Sequence, residues 1–152
     1  MYLVIGVFTF IISAISCREF FGDHPLGNNF SLLDGDKKED RIIVYCAGNE
    51  ENECNGGIFV IPRYRDHMLN GKYAEYVETA KSNNDWIIAK SFQMNYRQEK
   101  YWIINKNFNI KNLDCDKTNC DSIIQSHVIG PLNINEFQEK IKKFRIDLSF
   151  VN

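Results

Sequence analysis

The densest run of side chains able to do chemistry is Arg63-Tyr64-Arg65-Asp66-His67. Two arginines and an aromatic ring suit an anionic or sugar ligand. Arg63, Tyr64, Arg65 and His67 are therefore the candidate ligand-binding residues. An exposed loop between strands accounts for the same run equally well. His24, His67 and His127 are the only histidines for acid–base work. His127, beside Val128 and Ile129, reads as a packed or capping residue. No serine sits in a G-x-S-x-G elbow, and neither H-E-x-x-H nor a phosphate-cradling glycine loop occurs. Carboxylates are plentiful, but nothing pairs two of them across a bond as glycoside hydrolysis requires. No catalytic residue is assigned, and an enzyme is the less favoured class.

Residues 1–16, MYLVIGVFTFIISAIS, carry no charged side chain. As a helix they would span about 24 Å, short of the roughly 30 Å hydrocarbon core of a bilayer. A secretory apolar region ending in small residues fits better. The alternatives, an uncleaved anchor or a core helix, need length or caps that the segment lacks. Its end, Ala14-Ile15-Ser16-Cys17, resembles the lipobox of bacterial lipoproteins. The resemblance implies cleavage before Cys17 and acylation of that residue. Acyl chains contribute about 0.8 kcal/mol per buried CH₂, so a multiply acylated cysteine holds a protein firmly. The expected partner is thus a lipid bilayer, reached through Cys17.

Four further cysteines, Cys46, Cys54, Cys115 and Cys120, fall into C-x7-C and C-x4-C. Export would place them where disulfides persist. Three connectivities are open, and proximity favours the local one. Zinc ligands usually pair at C-x2–4-C, and C-x7-C is too wide. Asp114, Asp116 and Asp121 would also raise the nearby thiol pKa values. The same carboxylates with Asn119 lack the ordered series and central glycine of a calcium loop, so a solvated acidic turn is expected. No metal and no cofactor is called for.

The elements that must position these groups are mostly strands. Phe30–Leu33, Arg41–Cys46, Gly57–Pro62, Asp85–Gln93 and Lys100–Phe108 are apolar, β-branched runs bounded by turn formers. The last two share W-I-I-x-K-x-F across a short polar connection, which predicts neighbouring antiparallel strands. Apolar groups on both faces place them centrally in a sheet, one side under a helix. Glu75–Ala80 reads as a strand before the Ser82-Asn83-Asn84 turn, although Tyr73, Tyr76, Val77 and Ala80 also have helical spacing. Pro62–Gly71 reads as a loop, and Gly130-Pro131 as a break. A short helix near 119–126 is compatible with the pattern. Asn133 and Glu136 form a capping box for a helix over 134–146, with Ile134, Phe137, Ile141 and Phe144 as its apolar stripe. The fold expected is α+β: an antiparallel β-meander of about five to six strands covered by a C-terminal amphipathic helix. The chain divides into a signal peptide (1–16), a lipidated cysteine and tether (17–29), and one domain (30–152).

The lipobox-like start, LGNNFSLLDGDKKEDRIIVYC, the paired WII strands and SHVIGPLNINEF together resemble short uncharacterised lipoproteins of Bacteroides and its relatives. That resemblance implies a cell-envelope location, on the periplasmic or surface face, and carries no activity. Composition fits a folded module: 44% hydrophobic residues is too apolar for a disordered chain. A net charge of −2 provides no global positive field for nucleic acid, so no nucleic-acid partner is expected. Three functions remain. The first is a non-catalytic binding or accessory module whose partner is an envelope protein or glycan. The second is a small hydrolase or other enzyme. The third is a protective or inhibitory lipoprotein that blocks a partner through a sheet edge or loop.

Overall fold

The computed structural model describes residues 23–46, 54 and 57–150. The signal peptide and Cys17 lie outside the described residues. Four strands make the first sheet: β1 (Asp23–Gly27), β2 (Phe30–Leu33), β3 (Ile42–Cys46) and β4 (Gly57–Ile61), paired in sequence order and antiparallel. A one-turn helix α1 (Tyr64–His67) and a ribbon of β5 (Met68–Leu69) and β6 (Lys72–Tyr73) follow. The second sheet holds β7 (Glu75–Ser82), β8 (Trp86–Gln93) and β9 (Gln98–Asn105). Its fourth strand is β10 (Val128–Leu132), and the order is β10-β9-β8-β7. Two more helices complete the fold, α2 (Cys120–Ser126) and α3 (Ile134–Phe144).

The chain is therefore built mainly of antiparallel sheets with a few short helices, α3 among them. The expected single meander of five to six strands is not formed. Pro62 ends the first meander, and the stretch expected as a loop instead folds into α1 and the β5–β6 ribbon. That detour lets β7 start a second meander rather than pair with β4. The Asn70-Gly71 turn of the ribbon has φ of 53° and 72°, the left-handed pair a two-residue hairpin demands. Residues 23–29, expected as tether, carry β1 and its turn onto β2.

The WII strands explain the layering. Ile87 faces Ile104 and Ile88 faces Ile103 across the β8–β9 ladder, with side chains alternating between faces. Ile87 and Ile104 enter a core with Phe30, Ile43, Val60 and Ile61 of the first sheet. Ile88 and Ile103 enter a second core with Phe137 of α3, Leu132 and Ile146. Sheet, sheet and helix are thus stacked on the two central strands. All four isoleucines are fully buried. Burying side chains of this size contributes about 1.5–3 kcal/mol each.

Helix α3 forms as its cap predicts. Asn133 Oδ1 accepts the amides of Asn135 and Glu136 at 3.0 Å, and Glu136 Oε2 accepts the Asn133 amide at 2.9 Å. The helix ends at Phe144, where Arg145 turns left-handed (φ 55°). Phe137, Ile141 and Phe144 pack inward, whereas Ile134 stays exposed. The Gly130-Pro131 step is no break: it lies in the edge strand β10, where a missing N–H is tolerated. A bulge there shifts the register between Ile129 and Leu132.

Candidate functional site

Arg63, Tyr64 and Arg65 come to the surface because Pro62 anchors the end of β4 in the core. Two adjoining concavities open around them. One, about 220 Å³, lies in the seam between the sheets, with Val60 and Pro62 on one side and Trp102, Val128 and Gly130 on the other. The second, about 590 Å³, runs over Phe59 and Tyr64 toward Asp121. Arg63 and Arg65 border both. The Tyr64 ring meets the Phe59 ring edge-on at 5.2 Å and is otherwise exposed. Arg65 Nε lies 3.6 Å from Asp66. The arginines can bind a carboxylate or phosphate, and the tyrosine ring can take a sugar against its face.

His67 is placed differently from its neighbours. It is buried, its Nδ1 lies 3.0 Å from the Glu75 carbonyl, and its ring sits between Phe59 and Tyr73. It lines neither concavity. Its backbone carbonyl accepts the Ala74 amide at 2.9 Å, so the residue ties α1 to the start of β7.

The floor of the smaller cleft holds a polar chain that the sequence does not announce. Trp102 Nε1 donates to Ser91 Oγ at 2.7 Å, and Ser91 Oγ donates to Glu75 Oε1 at 2.5 Å. Glu75 and Ser91 are both buried. Burial raises the Glu75 pKa above the usual carboxylate range, and Asp66 pushes the same way. The Ser91 hydrogen bond, Gln93 and Lys100 partly oppose the shift. Gln125 closes one side and donates to the Val60 carbonyl at 3.3 Å. These residues sit 8 (Glu75) to 58 (Gln125) positions beyond His67, on four different elements. One signal was available: Glu75 and Ser91 are polar residues in strands whose same-face neighbours are apolar.

Both local cysteine pairs form disulfides. Cys46–Cys54 closes the connection between β3 and β4 with Cα atoms 5.3 Å apart. Cys115–Cys120 closes the approach to α2 at 5.4 Å. The acidic turn beside the second bridge satisfies itself. Asp114 pairs with Lys117 at 2.7 Å and accepts the Asp116 amide, while Asn119 caps α2 through the Ser122 amide at 2.9 Å. Among the described residues no three His, Cys, Asp or Glu side chains converge as a metal site. No described helix is long and apolar enough to cross a membrane.

No protein-family model matches the chain, and no curated protein or solved structure matches it.

Proposed function

We propose that this chain is a lipid-anchored lipoprotein of a bacterial cell envelope, of the short kind common in Bacteroides and its relatives. Its β domain is a small, non-catalytic binding module. The observation that carries the reading is the cysteine chemistry. Cys46, Cys54, Cys115 and Cys120 are consumed in two disulfides, a state that suits an oxidising, extracytoplasmic space. The remaining cysteine, Cys17, follows an uncharged apolar run and a small residue, the setting in which a lipoprotein is cut and acylated. Arg63 and Arg65, which border both concavities, supply the module with a site for an anionic group, such as the acidic part of an envelope glycan.

Replacing Cys17 by Ser tests the anchor. The variant is expected to leave the membrane fraction and to lose labelling by a fatty-acid probe. Unchanged fractionation of Cys17→Ser overturns the reading.

A further inference from the structure

Five of the seven large exposed apolar side chains among the described residues gather at one end. Tyr64 precedes the β5–β6 ribbon, Met68 and Leu69 form its first strand, and Met94 and Tyr96 belong to the turn joining β8 to β9. The two turns are neighbours. Met68 pairs with Tyr73, and the Met94 amide donates to the Ala74 carbonyl at 2.8 Å. Single exposed apolar residues are normal on any surface. A group of them on adjoining turns marks a place where something docks. Leu113 and Ile134 are exposed too, but Leu113 follows the opposite end of β9 and Ile134 opens α3.

The chain from Cys17 arrives at that same end. Strand β1 begins at Asp23, opposite Leu33, and Leu33 lies opposite Ile42. The carbonyl of Arg41 accepts the Val77 amide at 2.8 Å. Val77 is two residues from Glu75, whose partner Gln93 directly precedes the Met94 turn. A line of side-chain bonds follows the same path. His24 meets Asp34 at 2.9 Å, Asp34 binds Arg41, and Arg41 Nη1 donates to the Glu78 carbonyl at 3.0 Å. Six peptide steps separate Cys17 from Asp23. Their reach at full extension is about 20 Å. Acyl chains on Cys17 therefore keep the start of β1 within about 20 Å of the bilayer, on the side of the domain that carries these turns.

We infer that this end of the domain rests on the bilayer, with Met68, Leu69, Met94 and Tyr96 seated in its interfacial layer. The inference rests on the lipid-anchor reading and adds an orientation to it. The occupant is lipid because an anchored tether of about 20 Å reach ends on this side of the domain. The interface also favours such side chains: tyrosine at the water boundary, methionine and leucine below it. Charge on this end is mixed, with Arg65, Lys72 and Arg97 set against Asp66, Glu39 and Asp40. The contact is therefore apolar in origin and needs no anionic lipid. It leaves the β1–β2 turn and the segment after β9 facing away from the membrane.

The test uses the full acylated protein in phosphatidylcholine vesicles, its Cys17 acylation verified by intact mass. Leu69→Cys, Tyr96→Cys and Leu113→Cys each add one thiol for a nitroxide at an exposed position. Spin labels at 69 and 96 are expected to collide more with oxygen and several-fold less with a water-soluble nickel chelate than the label at 113. Equal nickel access at all three positions, on protein carrying acylated Cys17, overturns this orientation and leaves the anchor standing. An unmodified Cys17 on protein that does not join vesicles overturns the anchor reading and the orientation with it.

Discussion

Ser91 donates its hydroxyl to Glu75 at 2.5 Å while accepting the Trp102 indole N–H at 2.7 Å, so one serine links a buried carboxyl to the wall of the seam cleft. The Glu75 carboxyl is shifted upward because burial penalises its charged form. A group with a raised folded-state pKa stabilises the fold most below its unfolded value. That contribution is lost as pH rises through the folded value. Glu75→Gln keeps an acceptor for Ser91 and removes the charge. Measured by denaturant unfolding, the variant should gain on the native protein as pH rises from about 4 to 7. Glu75→Ala strands the Ser91–Trp102 pair and should cost about 1–3 kcal/mol near pH 4, and less as pH rises.

The disulfides close short loops, with sequence separations of 8 and 5. Chain-entropy bookkeeping gives roughly 2–2.5 kcal/mol for each. Replacing both members of either pair by Ser should lower the unfolding free energy by about that amount. Removing Cys115–Cys120 should have the larger effect on packing, because Cys120 lies in the main core.

Gly130 lies directly over Trp102. A Cβ at this position would sit 2.5 Å from Trp102 Cε3 and 3.0 Å from the Tyr101 carbonyl oxygen, and its φ of 149° disfavours a side chain. Gly130→Ala should cost about 2–3 kcal/mol in thermal or denaturant unfolding. It should also perturb Trp102 fluorescence, since the ring must move.

The cap of α3 can be removed without touching the core. Asn133→Ala loses two amide bonds at 3.0 Å and should cost about 1 kcal/mol. Phe137→Ala, one turn further on, opens the second core and should cost about 3–5 kcal/mol. Equal losses in the two variants would show that α3 does not pack as described.

Much of this architecture was legible because it rests on local chemistry. The WII ladder, the capping box over Asn133 and Glu136, the strand over Glu75–Ala80 and the local disulfides all follow from residues close in sequence. The split into two sheets was not legible. It depends on how Pro62, α1 and the two-residue ribbon redirect the chain, and no periodicity records that. β10 was hidden because Gly130-Pro131 looks like a stop, and only its edge position makes the proline harmless. At the cleft, the arginine run could be read directly. Glu75, Ser91, Trp102 and Gln125 converge through sheet register, which one sequence does not display.

The account turns on what the native polypeptide carries at its processed start. Intact-mass analysis of the protein taken from membranes without reduction is the direct measurement. The account predicts a chain beginning at Cys17, heavier by its acyl groups, with Cys46, Cys54, Cys115 and Cys120 oxidised. A chain that retains residues 1–16 with an unmodified Cys17 contradicts it.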